Sequence, residues 1–261
     1  MEVQEIAIPK INTELSYSDF LQMRADAYNQ KEGDLKGYDC RICRNKGYIA
    51  KITDGYEKLA ECRCLKIRET LRRIECSGLE ELLRQCTFKN YECTESWQTA
   101  LKEAVMKFSE QESGSLYVGG QSGCGKTHLC TAAVGQFIKK GYSARYFVWR
   151  DDSPRMKALV NDPLYEKEIS SYKSSDVLYI DDMFKCKDND TDKITDADIK
   201  LAFELIDYRD RNKKITIIST EFSPGELIKA DEALGGRIAA MTRDNRLYIA
   251  KDQKKNYRLR R

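Results

Sequence analysis

Gly120, Gln121, Ser122, Gly123, Cys124, Gly125, Lys126 and Thr127 form an unbroken run that satisfies G-x-x-x-x-G-K-[ST] at every fixed position. No other stretch limits so tightly what the chain can fold into. The glycines allow backbone conformations that turn successive N–H groups inward, and the helix that follows adds its positive dipole end, so the run predicts an anion-binding nest. The context agrees. Leu116, Tyr117 and Val118 precede the run as a strand, and Leu129, Ala132, Ala133, Phe137 and Ile138 follow it at helical spacing, giving strand, loop and helix. Lys126 is then expected to reach the β- and γ-phosphates of ATP, and the Thr127 hydroxyl to ligate Mg2+. His128, the single histidine, trails the loop and counts with its binding run. A packing role is expected for it rather than acid–base work, because it lies inside the helix that binds phosphate.

A magnesium–nucleotide site also needs a carboxylate from a neighbouring strand. Val177 to Ile180 is an apolar strand that ends in Asp181 and Asp182, which places both acids at the carboxyl edge of the sheet. Asp181 is expected on the metal and Asp182 on the attacking water. Ala144 to Trp149 and the β-branched run Ile215 to Ser219 read as further buried strands, and Arg246 to Ala250 as a last short one. Met156 to Tyr172 and Leu201 to Tyr208 read as helices. Strands alternating with helices predict an α/β fold, a parallel sheet covered on both faces.

The other half of the chain reads differently. Residues 37–64 are punctuated by Gly37, Gly47 and Gly55 and hold too few apolar side chains to fold alone. Cys40-x-x-Cys43 and, after eighteen residues, Cys62-x-Cys64 supply the four thiolates of a tetrahedral zinc site, against the alternative of four reduced, unconnected cysteines. The second pair is spaced more tightly than usual. The N-terminal residues lack a basic start and an apolar run of signal length, and no segment approaches a membrane span. A soluble, cytosolic protein is therefore expected. The 45 basic and 42 acidic residues leave a net charge of only +3, so any nucleic-acid surface must be local. The last eleven residues, with six Lys or Arg, form one such patch or a solvated tail. The expected division is 1–80, with the zinc module at about 37–66, and 81–261.

Taken together, the phosphate loop with His128, the Ile180-Asp181-Asp182 strand end, Ser77-Gly78 with Thr87-Phe88-x-Asn90-Tyr91, and Ala233-Leu234-Gly235-Gly236-Arg237-Ile238 resemble the DnaC/DnaI-type replicative helicase loaders. Phage-encoded relatives fit best, and the four-cysteine module is similar to that of the zinc-bearing members. The resemblance runs from about Tyr38 onward. It implies an AAA+ ATPase domain, a three-layer αβα fold, that forms homo-oligomers in which one subunit's arginine reaches its neighbour's ATP. Arg237 falls on that arginine-finger motif and Arg258 resembles the C-terminal sensor, with Arg243 able to stand in for either. The polar sensor after the fourth strand falls within Ser219-Thr220-Glu221, and Thr220 is chosen. About forty residues follow that strand, so the helical lid of many AAA+ proteins is expected to be reduced or absent. The implied partners are a hexameric DnaB-type replicative helicase and single-stranded DNA, with slow ATP hydrolysis as the switch and ATP, Mg2+ and Zn2+ as cofactors. Tyr146, Phe147, Trp149 and Arg150 are candidates for contact with that DNA. An IstB-type transposase helper is the alternative in the same fold. A P-loop small-molecule kinase and a zinc-dependent adaptor that binds nucleotide without turnover are the alternatives in other classes.

Overall fold

Residues 16–76, 80–185, 190–252 and 255–257 are described by a computed structural model. Contacts divide the chain into one unit up to Arg68 and a second from Glu69 onward.

In the first unit, Ser16 caps helix α1 (Tyr17–Gln30) by a capping box with Asp19, which satisfies amide groups that a helix start leaves orphaned. Strands β1 (Tyr48–Thr53) and β2 (Tyr56–Glu61) pair antiparallel. Asp54 and Gly55 join them with φ of 56° and 78°, the Asp-Gly turn whose left-handed backbone matches the twist of a hairpin. The Asn29 side chain both donates to and accepts from the Ala50 backbone at 3.0 Å and so pins α1 to β1. Helix α2 (Cys64–Cys76) begins here and carries the division point.

The second unit starts with short helix α3 (Glu80–Gln85) and α4 (Ser96–Glu110). Strand β3 (Ser115–Gly120) leads through the glycine-rich run into α5 (Lys126–Lys139). Strand β4 (Ala144–Val148), helices α6 (Trp149–Ala158) and α7 (Leu164–Ser174), strand β5 (Val177–Met183), helix α8 (Asp196–Arg211) and strand β6 (Ile215–Thr220) follow. Short helices α9 (Pro224–Ala230) and α10 (Glu232–Met241) and strand β7 (Arg246–Ile249) complete it. The five strands run parallel in the order β4-β5-β6-β3-β7. Every residue of β3 and β6 is buried, as expected for central strands covered on both faces.

Alternation along β5 assigns the two faces. Leu178 and Ile180 join a core cluster with side chains of α6 to α10, whereas Tyr179 and Asp181 face the side of α5, where Thr127 meets Asp181. Residues 156–172, expected to be one helix, are the end of α6 and most of α7, separated by a turn ending at Pro163, where a proline restricts the residue before it. Among the described residues after β6 there are two short helices and one strand, and no separate helical lid.

Arg209 fixes the opposite edge of the sheet. It is 0% exposed and donates to the carbonyls of Tyr172, Lys173, Ser175 and Ile215 and to the Thr216 hydroxyl at 2.6–3.0 Å. Burial pulls its pKa down to about 9, and it still enters the core charged at neutral pH because these acceptors replace water.

Candidate functional site

The loop after β3 is shaped by backbone geometry before any side chain acts. Gly125 is the N-cap of α5 with φ 91°, and no side chain caps the first turn, so the helix amides there are aimed at an incoming anion. A Cβ on Gly125 would lie 2.7 Å from the Tyr91 ring, which fixes the residue as glycine. Lys126 is 5% exposed and donates from Nζ to the Gly120 and Gln121 carbonyls at 2.8 and 2.9 Å. The ammonium is held along the loop it is expected to serve. His128 lines the same cavity as the loop, and its ring is held by other partners. Its Nε2 pairs with the Thr87 carbonyl at 2.9 Å, and its ring meets Tyr91 edge-to-face at 5.3 Å, tying the Thr87–Tyr91 segment to the start of α5.

At the end of β5 the two acids part company. Asp181 is 8% exposed and takes the Thr127 hydroxyl on Oδ1 at 3.1 Å, so residues expected around one metal ion stand together. Asp182 has φ +50° beside a shift of register between Ile180 and Met183. A bulge of this kind re-aims a side chain, and Asp182 lines the same cavity as Lys126. Its N–H donates to Ser219 Oγ at 3.0 Å.

That cavity has a volume of about 320 Å³ and is lined by the loop together with Tyr91, Trp97, Asp182, Lys255 and Tyr257. The loop's far side is covered by the C-terminal segment. Tyr257 N–H donates to the Gly123 carbonyl at 2.9 Å, Tyr257 Oη donates to Glu92 at 2.9 Å, and Gln121 exchanges two hydrogen bonds with the Asp252 backbone. Lys255 lies 5.8 Å over the Trp97 ring. Glu92, Trp97, Lys255 and Tyr257 carry no motif, and only the folded chain shows them beside the loop. At Gly123 the φ is +78°, and a Cβ would lie 2.1 Å from Asn256 Oδ1. Gly123→Ala is therefore expected to cost roughly 1–2 kcal/mol for the left-handed backbone, lowering the melting temperature by about 2–8 °C and weakening nucleotide binding. An unchanged melt would contradict this account of the loop.

The three sensor candidates go three ways. Ser219 donates from Oγ to Asp181 Oδ1, Thr220 donates to the Met183 carbonyl at 2.8 Å, and Glu221 forms an ion pair with Lys185. Of the three, Ser219 is the one that touches Asp181, the carboxylate expected on the metal. Arg237 on α10 forms ion pairs with Asp207 at 3.0 Å and Asp210 at 3.4 Å on α8, and its guanidinium lies over the Phe203 ring. Arg243 is exposed. Arg258, like Ser77 and Gly78, lies outside the described residues. Of the side chains expected to meet nucleic acid, Phe147 and Trp149 are in the core and Tyr146 donates to Asp181. Only Arg150 is exposed; the expectation is corrected for the three aromatic residues because both faces of the sheet are covered.

In the first unit the four cysteines converge, all buried, with every Sγ within 4.8 Å of the others. Cys40 and Cys62 stand 3.7 Å apart and Cys43 and Cys64 3.4 Å apart. Four sulfurs at about 2.3 Å from a tetrahedral zinc are about 3.8 Å from one another, so the cluster fits that ion. Gly47 N–H donates to Cys43 Sγ at 3.3 Å. Burial raises the Cys43 thiol, but this N–H and the neighbouring thiols outweigh it and bring the pKa to about 7.

A phosphate loop opening a helix, with acids at the end of a nearby strand of one parallel sheet, defines a P-loop nucleotide-binding protein. A family model described as IstB-like ATP binding protein matches residues 62–237. The phage-like element PBSX protein XkdC of Bacillus subtilis (strain 168) is 32% identical over 225 residues, covering 82% of this chain and 83% of its own length. The replicative helicase loader DnaC of Buchnera aphidicola subsp. Schizaphis graminum (strain Sg) is 25% identical over 164 residues, 60% of this chain and 63% of that one. In fold, a crystal structure of the DnaC helicase loader superposes with a TM-score of 0.54 at 23% identity, covering 65% of this chain and 98% of that one. A crystal structure of DnaI gives 0.51 at 18% identity, covering 67% and 92%. The chain belongs to the IstB-like family of ATP-binding proteins and has a P-loop AAA+ fold like that of DnaC.

Proposed function

We propose that the chain loads a hexameric DnaB-type replicative helicase onto single-stranded DNA, with ATP binding and slow hydrolysis as the switch. The observation that carries this reading is a separate four-cysteine unit joined to the ATPase unit. The family match begins at residue 62, so Cys40, Cys43 and most of the first unit lie outside it, as a helicase-gripping module would. The ATPase unit supplies the switch. Loop amides and Lys126 bind the triphosphate, Thr127 and Asp181 hold Mg2+, and Asp182 orients the attacking water. Magnesium, when bound, neutralises charge building up on the phosphates. Zinc on Cys40, Cys43, Cys62 and Cys64 completes the first unit. The protein works in the bacterial cytosol, in keeping with the lack of any described helix long and apolar enough to cross a membrane.

Arg237 is proposed as the finger given to a neighbouring subunit, which requires it to leave Asp207 and Asp210. Arg237→Ala is expected to lower ATP hydrolysis by the assembled protein by about 10³-fold while leaving ATP affinity within about twofold. Hydrolysis unchanged in the variant, at every protein concentration, would remove the finger and favour a self-sufficient kinase-like site.

The match to the IstB-like model supports a second reading, a transposase helper. Capture experiments with the purified full chain separate the two. Retention of a DnaB-type helicase supports loading, and retention of a transposase with no helicase overturns it.

A further inference from the structure

Asp181 is surrounded by more hydroxyl groups than a metal-side carboxylate needs. Oδ1 accepts from Thr127 at 3.1 Å, from Tyr179 at 2.7 Å and from Ser219. Oδ2 accepts from Tyr146 at 2.9 Å. An ionised carboxylate offers about two lone-pair sites on each oxygen, so three donors crowd Oδ1 and leave Oδ2, which accepts from Tyr146, as the oxygen that the water shell of a hydrated cation can reach. Mg2+ dehydrates reluctantly and meets protein carboxylates partly through its own waters. At Asp181 such a water meets the Tyr146 phenol on Oδ2.

The four donors differ in their freedom to yield to it. Tyr179 and Ser219 are fully buried in central strands, with their hydroxyl oxygens 3.1 Å apart. Thr127 is expected to turn to the metal itself. Tyr146 is different. It stands on β4, the edge strand, it is half-buried, and it is the donor on Oδ2. Its ring is set edge-to-face against Tyr179, 4.7 Å between centroids and 82° between planes, which aims the phenol at the carboxylate.

We propose that Tyr146 guards Oδ2 of Asp181, competing with magnesium-bound water for that oxygen, and so sets how tightly the nucleotide site takes Mg2+. The inference rests on the nucleotide-site reading and adds a positioning residue to it. Binding of metal then displaces the phenol, and β4 senses whether Mg-ATP is present.

The test is a Mg2+ titration of ATP-analogue binding to the full chain, followed by calorimetry or fluorescence. Tyr146→Phe is expected to lower the Mg2+ concentration for half-saturation by about 10- to 100-fold, since a hydrogen bond to a charged group no longer has to be exchanged. Binding without Mg2+ is expected to stay the same. A half-saturation point that is unchanged or higher overturns the proposal. Should the variant melt far below the unmutated protein, 3-fluorotyrosine placed at position 146 decides. Its 19F resonance is expected to move when Mg2+ is added to the ATP-bound chain and not when ATP alone is added; no movement overturns the proposal. Lys126→Ala run in parallel separates the two levels. If it binds nucleotide normally, the phosphate-loop reading fails; if it loses binding while Tyr146→Phe shows no Mg2+ effect, only the role of Tyr146 fails.

Discussion

Lys126→Ala is expected to weaken ATP binding by about a hundredfold or more, because charge-assisted hydrogen bonds to phosphate are worth roughly 1.5–3 kcal/mol each and one ammonium makes two. The side chain is 5% exposed and already lies along the loop, on the Gly120 and Gln121 carbonyls. Little conformational entropy remains to be lost when phosphate takes over those hydrogen bonds. Alanine at the first position of α5 is a good helix former, so the fold should survive. Calorimetric titration with Mg-ATP measures the effect directly. Unchanged affinity would mean that the triphosphate sits elsewhere.

The second large effect concerns the first unit. Its buried apolar residues among those described are Leu21, Ala25, Ala50 and Ile67 beside the four cysteines, a core too small to offset the entropy of ordering the chain. A structural zinc contributes about 10–16 kcal/mol in small metal-dependent folds. Cys40→Ser is therefore expected to abolish zinc binding and the β1–β2 hairpin, seen as zinc content falling from one per chain to none and as a changed far-ultraviolet circular dichroism spectrum. ATP binding by the second unit should persist. Elemental analysis that finds no zinc in the unmutated protein would end this account of the cysteines.

These two sites were the most legible in the sequence, and for the same reason. The loop from Gly120 to Thr127 and the pairs Cys40, Cys43 and Cys62, Cys64 are local patterns in which backbone freedom and ligand spacing are written within a few residues. The strand that carries Asp181 is legible too, since Val177 to Ile180 is a continuous apolar run that gives way to the acids near its carboxyl end. That same continuity hid the choice among Ser219, Thr220 and Glu221. Every residue of β6 is buried, so hydrophobic alternation does not mark its faces. Only the register, Tyr179 opposite Ile217, puts Ser219 on the face of Asp181 and Thr220 on the other.

Long-range partners were out of reach for a different reason. Nothing in the neighbourhood of Glu92 or Trp97 signals that Tyr257 and Lys255, some 160 residues later, lie beside them. Tyr146, Phe147 and Trp149 form an aromatic, strand-like run that fits a nucleic-acid surface and a buried strand equally well. The helices on both faces of the sheet decide for burial, and β5 beside β4 turns the Tyr146 hydroxyl toward Asp181.

The most direct test of the proposed function is the mass of the complex formed when the purified full chain is mixed with the hexameric replicative helicase of its host and single-stranded DNA, with and without Mg-ATP. The account predicts a discrete assembly of helicase, several copies of the chain and DNA that depends on ATP and is lost with Lys126→Ala. Helicase and chain running at their separate masses under every nucleotide condition would contradict it.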